Sequence, residues 1–311
     1  GVHVPTWIAP EMRSLLETYL GPNWVERQDD PRIWERVMDI PDEEIWKVHL
    51  LLKQKLKAAT LDWARQSWTE CRVSPRQVVT MGSLLDAEAL TIAFVRRFAE
   101  YKRPALIFHD LPRLKRLVGN RFRPLQVVFA GKSHPADFPS KYLLHQVYTL
   151  ANSTEFGGRI AFIEDYDMHM ARYLVQGVDV WLNVPRRLNE ACGTSGMKAA
   201  LNGAPHLSVR DGWWHEGYNG RNGWAIGDGR APATSEEEDR ADAEALYDLL
   251  ENQVVPLYYD RDRKGVPHGW IQVVKEAICS VAPGFSARRM LKEYLTGYYL
   301  KAAGAGQQPA G

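Results

Sequence analysis

Short apolar runs alternate with amphipathic segments through the middle of the chain, and this alternation limits the fold more than any other feature. Runs rich in β-branched and aromatic residues lie at 90–95, 125–131, 159–165, 178–183, 205–209 and 223–227. Amphipathic segments separate the first four runs. Strands that alternate with helices form βαβ units, whose right-handed crossovers cover both faces of a parallel sheet. The pattern predicts an α/β fold with a parallel sheet and helices on both faces.

Helical patterns flank this central region. Apolar residues follow the 3.6-residue period between 8 and 80. After a polar loop near 230, the pair Ser235 and Glu238 matches a capping box, and two more helices are predicted near 268–281 and 286–301. We therefore predict a helical N-terminal segment (1–80) packing on the core, an α/β binding domain with C-terminal helices (81–301), and a disordered low-complexity tail (302–311).

Composition excludes several classes of protein. The 311 residues carry a formal net charge of +1, which argues against binding nucleic acid through bulk charge. Cys71, Cys192 and Cys279 are too few and too dispersed for a disulfide framework, so a reducing, cytoplasmic setting is expected. The sequence has no run of about 18 apolar residues, so no membrane-spanning helix is predicted.

Ligands of parallel sheets bind beyond the carboxyl ends of the strands, and those ends are polar here. They read "RRFAEYKR" (96–103), "GKSHPAD" (131–137), "EDYD" (164–167) and "NVPRRLNEACGTSG" (183–196). His134 and His169 match no metal-binding spacing, so no metal is predicted. The sequence contains no GxSxG nucleophile elbow, which argues against a serine hydrolase. A glycosidase pair of carboxylates could be drawn from Glu164, Asp165 and Glu190, but the sequence does not fix the distance between them.

The stretch "EACGTSGMKAALNG" (190–203) predicts a helix that starts after small residues and stops at Asn202-Gly203. Bare backbone at a helix start lets an anion approach the N–H groups, and Thr194 and Ser195 add hydroxyl donors. A glycine-rich turn needed only for packing is the alternative. Lys198 inside this helix is either an exposed charge or an amine of lowered pKa that can react with an aldehyde.

A second cationic group follows the first predicted strand. Arg96, Arg97, Lys102 and Arg103 cluster there, and the sheet would direct them toward the cleft beside residues 193–196. Converging cations suit a dianionic ligand, although a solvated basic face explains the same residues. The aromatic, glycine-rich loop 211–224 suggests no chemistry by residue type.

Taken in order, these stretches resemble the α-glucan phosphorylases, a family of retaining GT-B glycosyltransferases. The matching motifs are "GVHVPTW" (1–7), "RRFAEYKR", "FAGKSHPAD" (129–137), "EDYD", "EACGTSGMKAALNG" and "FSARRMLKEY" (285–294), and the short bacterial and archaeal branch is the most similar. The resemblance implies a GT-B, Rossmann-like fold and pyridoxal 5′-phosphate as cofactor. It also implies α-1,4-glucan and inorganic phosphate as substrates.

The resemblance covers only the C-terminal domain of such enzymes. It therefore implies a missing N-terminal domain and little turnover by this chain alone, and it allows a homo-oligomer. Neither a nucleic-acid partner nor a membrane is implied.

The resemblance also assigns the cofactor residues. Lys198 matches the lysine that anchors pyridoxal phosphate covalently, and Arg96 matches a basic residue beside the cofactor phosphate. Gly193, Thr194 and Ser195 match the helix start that holds this phosphate. Trp7 and Tyr166 match residues that line the cofactor pocket.

The substrate residues follow in the same way. Arg97 and Lys102 match the residues that bind the substrate phosphate, and with Glu190 they form the catalytic set. Glu190, the Gly193 amide and Tyr101 match contacts to sugar hydroxyls.

Two positions depart from the family pattern. Asp167 stands where many members carry an arginine near the cofactor phosphate, and Cys192 stands where serine is common. Two alternatives remain: a GT-B nucleotide-sugar glycosyltransferase resembling glycogen synthase, and a non-catalytic glucan- or cofactor-binding module. Lys198 discriminates against the first, because such an enzyme needs no anchoring lysine.

Overall fold

The computed structural model describes residues 1–70, 86–227, 229 and 233–305, built around a six-stranded sheet in which every recorded strand pair is parallel. Each strand lies within a predicted run, so the predicted α/β, Rossmann-like fold is confirmed. The spatial order is β3-β2-β1-β4-β5-β6. The strands are β1 (Leu90–Val95), β2 (Leu125–Ala130), β3 (Ile160–Ile163), β4 (Val180–Asn183), β5 (His206–Val209) and β6 (Gly223–Ile226).

Burial explains why the strands read as continuous apolar runs. Every residue of β1 to β5 is buried, as expected when helices cover both faces of a parallel sheet. Leu90 pairs with Leu125 and Ile92 with Val180, so β1 joins the two halves of the sheet. The order of the strands reverses between β1 and β4, which makes their carboxyl ends the switch point where ligands bind.

The helices surround this sheet. Helix α4 packs against α7, while α12 packs against α3 and α8. Their bounds are α1 (Val4–Trp7), α2 (Pro10–Leu20), α3 (Pro31–Trp34), α4 (Asp42–Thr69), α5 (Leu111–Val118), α6 (Phe138–Ala151), α7 (Met168–Gly177), α8 (Ser195–Ala200), α9 (Trp213–Gly217), α10 (Ser235–Leu249), α11 (Val255–Tyr259), α12 (His268–Gly284), α13 (Ala287–Tyr294) and α14 (Leu300–Ala305). π-Helical turns at Leu250–Val254 and Leu295–Tyr299 join α10 to α11 and α13 to α14.

A buried polar network fastens α4 to the amino end of the sheet. Lys53 Nζ donates to Asp179 Oδ2 at 2.5 Å and to the Tyr258 hydroxyl at 2.7 Å. Asp179 also accepts from His49 Nε2 at 2.6 Å and from the Thr91 amide at 2.7 Å. Burial alone would raise the pKa of Asp179, but Lys53 and His49 hold it below its usual value. The carboxylate therefore stays ionised inside the core.

The predicted capping box is wrong by one residue. Thr234, not Ser235, caps α10: its hydroxyl accepts from the Glu237 amide at 3.2 Å, and Glu237 accepts from the Ala233 amide at 3.1 Å. The sequence "TSEEE" (234–238) offers two capping pairs, Thr234 with Glu237 and Ser235 with Glu238, and the structure forms the first pair.

Some predicted boundaries fall outside the described residues. The boundary between 80 and 81 lies there, as do Cys71 and residues 306–311 of the predicted tail. Residues 302–305 of that tail lie in α14, so disorder stays a prediction for residues 306–311 only. Among the described residues, no helix is both long enough and apolar enough to cross a membrane.

Candidate functional site

Three charged side chains meet at the carboxyl ends of β1 and β4. The Glu190 carboxylate accepts from the Arg96 guanidinium and, at 2.9 Å, from Lys102 Nζ. Each of these side chains is only 8% exposed. Burial lowers the pKa of Arg96, and Glu190 opposes that shift. The sheet thus brings Arg96, Lys102 and Glu190 together at the switch point.

Arg96 keeps part of its hydrogen-bonding capacity unused. Its Nε and Nη1 atoms are buried and have no partner within the described part of the chain. A buried donor without a partner costs about 1–3 kcal/mol, and such groups are rare in native proteins. These two nitrogens are therefore suited to bind an anionic ligand.

The loop that carries Glu190 is fixed from beneath by residues 211–213. Asp211 Oδ2 accepts from the Glu190 amide at 2.9 Å, and the Trp213 amide donates to the Cys192 carbonyl at 2.9 Å. Gly212 has φ 53°, and a Cβ there would lie 2.5 Å from the Cys192 carbonyl oxygen. The sequence predicts that this loop packs under or beside the cleft, although residue type assigns it no chemistry, and the contacts of residues 211–213 agree with that placement.

Small residues follow Glu190 and lead into α8. Gly193 adopts the left-handed φ of 80°, and a Cβ there would lie 3.4 Å from Glu190 Cγ. Thr194 precedes the helix, and Trp181 Nε1 donates to Ser195 Oγ at 3.1 Å. The predicted helix exists, but it spans six residues only.

Lys198 is not a solvated surface charge. Its Nζ atom lies 3.9 Å from the centroid of the Trp7 ring, and its side chain is half-buried. Burial lowers the pKa of Lys198, and no carboxylate among the described residues offsets this shift. A lowered pKa increases the fraction of neutral, nucleophilic amine at pH 7.

Asn202 joins the N-terminal segment to α8. Its Nδ2 donates to the carbonyls of Trp7 at 2.9 Å and Lys198 at 2.8 Å. Its Oδ1 accepts from the Ala9 amide at 2.7 Å. Sequence reasoning identified Asn202 only as a helix stop, since nothing local indicates partners more than 190 residues away. This side chain holds Trp7 and the Lys198 backbone together.

Replacing Asn202 with alanine is expected to lower the free energy of unfolding by about 1–3 kcal/mol, because buried partners lose their hydrogen bonds. Urea denaturation would measure this loss. Asn152 is the matched control, since its exposed Nδ2 donates to a carbonyl four residues back, that of Tyr148. Asn152→Ala should change stability by about 0.5 kcal/mol or less. Equal losses in the two variants would contradict the proposed role of Asn202.

His206 lies beneath the start of α8, where sequence reasoning gave it no role. It is 1% exposed, and its ring centroid lies 5.1 Å from that of Trp213. A Cβ on residue 196 would lie 2.6 Å from His206 Cε1, so only Gly196 fits above the ring. Burial and then the charge of Arg96 lower the pKa of His206 to about 3. The ring is therefore neutral at physiological pH.

His206 should make folding sensitive to acid. Between its unfolded pKa of 6.5 and its folded pKa of about 3, the unfolded state binds more protons. Stability therefore falls as the pH drops through this window. From pH 7 to pH 5 the wild type should lose about 2 kcal/mol more than His206→Gln. Urea titrations at both pH values would test this, with the exposed His145→Gln as control. A slope unchanged in His206→Gln would contradict the prediction.

The remaining predicted site residues are placed less centrally. Arg97 is exposed and forms no ion pair with Glu190. Hydrogen bonds from Ser140 lower the pKa of Asp137, and the charge of Arg97 adds a smaller contribution. Tyr101 is half-buried, with Lys102 Nζ 4.7 Å from its ring centroid. Burial and then Asp167 raise the pKa of Tyr166.

Asp167 itself caps α7 by accepting from the Met170 amide at 2.8 Å. This contact gives the residue a helix-capping role at the position where the family pattern has arginine. No group of three or more His, Cys, Asp or Glu side chains suited to a metal occurs within the described ranges.

The strand order and the buried charged cluster define a Rossmann-like α/β domain whose cations gather at the switch point of the sheet. Residues 2–216 match the carbohydrate phosphorylase family. The chain belongs to that family.

Similar proteins agree with this assignment. The chain is 52% identical to glycogen phosphorylase of Aquifex aeolicus over 97% of its own length and 43% of that protein. It is 46% identical to maltodextrin phosphorylase of Thermococcus litoralis, covering 97% of the chain and 35% of that protein. Glycogen phosphorylase of Mycobacterium bovis is 41% identical over the whole chain and 36% of that protein. The chain thus spans less than half the length of these relatives.

Proposed function

We propose that this chain forms the cofactor- and phosphate-binding part of an α-glucan phosphorylase. The complete enzyme would cleave α-1,4-glucan with inorganic phosphate and release α-glucose 1-phosphate with retention. One observation carries the proposal: Lys198 is a half-buried amine without a carboxylate partner, in a domain where Arg96 has two unpaired buried nitrogens. The names of the relatives, glycogen and maltodextrin phosphorylase, support the substrate class.

The residues present fit pyridoxal 5′-phosphate. The Lys198 amine would hold the aldehyde of the cofactor, beside the Trp7 ring. Arg96 Nε and Nη1 would donate to its phosphate. The left-handed Gly193, with Thr194, Ser195 and Tyr166, would complete the pocket.

When bound, the cofactor supplies a phosphate group that can exchange a proton with inorganic phosphate. Two phosphates side by side repel each other strongly, so the protein must supply converging positive charge. Arg96 and Lys102 provide it, and Glu190 holds both cations in place before a ligand arrives. Arg97, which is exposed, would join them at the substrate phosphate. Glu190, the Gly193 amide and Tyr101 would then orient the sugar hydroxyls.

The rest of the complete enzyme would supply further contacts to the glucan, because the chain spans only 35–43% of its relatives. By itself the chain should bind the cofactor and turn over little glucan. Cofactor binding can therefore be tested on this chain directly, whereas catalysis requires the complete enzyme.

Uptake of pyridoxal phosphate tests the proposal. The purified chain should bind about one equivalent and absorb between roughly 330 and 420 nm, and borohydride should fix the cofactor to the peptide containing Lys198. Failure to take up the cofactor, together with binding of a nucleotide sugar, would instead support a nucleotide-sugar glycosyltransferase. Uptake that borohydride fixes to another lysine would overturn the proposed site.

A further inference from the structure

The segment that carries Glu190 has little internal support. Residues 184–194 run from β4 to α8 as a loop without helix or strand. In the middle of this loop, Leu188 adopts the left-handed φ of 63°, which is strained for a bulky residue, and the leucine is 95% exposed. Because so exposed a side chain gains little from packing, contacts from outside the loop must hold this backbone in place.

Two anchors hold the loop, one on each side of its strained residue. On the first side, the Arg187 amide donates to Glu238 Oε1 at 3.1 Å, which ties the loop to α10. On the second side, Asp211 Oδ2 accepts from the amides of Asn189 at 3.1 Å and Glu190 at 2.9 Å. An ionised carboxylate accepts stronger hydrogen bonds from amides than a neutral oxygen does. The second anchor therefore acts directly on the backbone of Glu190.

Asp211 is itself fixed to the sheet. It lies two residues after β5 and is 7% exposed, and its carbonyl accepts from the Trp214 amide at 3.2 Å. The backbone at Gly212 passes so close to the loop that a Cβ there would lie 3.0 Å from the Glu190 carbonyl oxygen. Asp211 thus links the backbone of Glu190 to the end of a buried strand.

We propose that Asp211 is a positioning residue, which acts through the loop and sets the orientation in which Glu190 meets the sugar. This inference rests on the proposed function, in which Glu190 contacts sugar hydroxyls. The Oδ2 atom of Asp211 bonds to backbone amides, so its effect reaches the site through the position of the loop. Lys198 is held through its carbonyl by Asn202 instead, so cofactor retention should not depend on Asp211.

Hydrogen exchange of the loop, followed by mass spectrometry, tests this role. In Asp211→Ala the exchange of residues 186–194 should accelerate about tenfold more than that of β1, because two amides lose their acceptor and the loop opens locally. Asp211→Asn keeps an oxygen acceptor and should restore most of the protection. Asp137→Ala is the matched control, since it removes a carboxylate that accepts from the Ser140 amide at 3.1 Å, at the start of α6. The loop should exchange in this control as in the wild type.

Binding of α-glucose 1-phosphate to the cofactor-loaded chain, measured by calorimetry, connects the loop to the sugar. Asp211→Ala should weaken this binding about tenfold, because Glu190 no longer keeps one orientation. Asp211→Asn should restore the affinity. Cofactor uptake should stay at the wild-type level in both variants.

The outcomes separate the role of Asp211 from the proposed function. Loop exchange in Asp211→Ala that rises no more than that of β1 would overturn the positioning role. Wild-type affinity for α-glucose 1-phosphate despite a loosened loop would overturn it as well. A wild-type chain that takes up no cofactor and binds no sugar phosphate would instead contradict the proposed function, and exchange accelerated only in the loop of Asp211→Ala would still support the positioning of Glu190 by Asp211.

Discussion

Replacing Lys198 with alanine is expected to abolish covalent retention of pyridoxal phosphate, from about one equivalent in the wild type to none detectable. The physical reason is the environment of the amine. Burial lowers the pKa of Lys198, so more of it is neutral at pH 7 than for an exposed lysine, and its Nζ lies over the Trp7 ring. Only a neutral amine can attack an aldehyde. Borohydride reduction followed by peptide mapping would measure the loss.

Two further variants separate the amine from its charge. Lys198→Arg keeps a cation near Trp7 and should also retain no cofactor covalently, because guanidinium stays protonated. Lys141 is the matched control, since its side chain is exposed and its Nζ lies 5.0 Å from the Phe138 ring centroid, and Lys141→Ala should behave as wild type. Reduced cofactor attached elsewhere in Lys198→Ala would show that another amine is the anchor.

The sheet could be predicted because its signal is local. Each strand is buried over most or all of its length, so its apolar run appears in consecutive residues, as "LTIAFV" does for β1. The ends of helices are harder to predict than the strands, because the identity of one capping residue sets where a helix begins. At α10 both Thr234 and Ser235 can cap, and no pattern within the sequence chooses between them.

The site was predictable only where residue type reveals chemistry. Arg96, Lys102, Glu190 and Lys198 carry charges that a buried cleft must use, and the structure brings the first three into contact. Residues that support the site were missed for a different reason. Asn202 acts through partners near the N-terminus, far away in the chain, so no spacing rule finds it.

His206 was missed because a buried histidine has no distinctive sequence context. Its importance comes from Gly196, which leaves just enough space above the ring. Such contacts arise only when β5 is placed beneath α8. Tertiary packing therefore determines the supporting residues, whereas the sequence pattern determines the strands.

Replacing Asp179 with alanine is expected to lower the free energy of unfolding by about 3–5 kcal/mol, because Lys53 would remain buried without a counter-ion. The Asp179 side chain is fully buried and that of Lys53 is 2% exposed, so water cannot compensate for the loss. Urea denaturation would measure the change. Asp248 is the control, because its side chain is 57% exposed in its pair with Arg113. Asp248→Ala should lower the free energy of unfolding by less than about 1 kcal/mol.

The double variant Asp179→Leu with Lys53→Met distinguishes loss of the pair from loss of packing. An apolar replacement of both partners removes the buried charges and should recover most of the stability lost in Asp179→Ala. His49 and Tyr258 would lose hydrogen-bonding partners, so recovery should be incomplete. A double variant as unstable as Asp179→Ala would show that the network fastens α4 to the sheet by its hydrogen bonds, not by its charge.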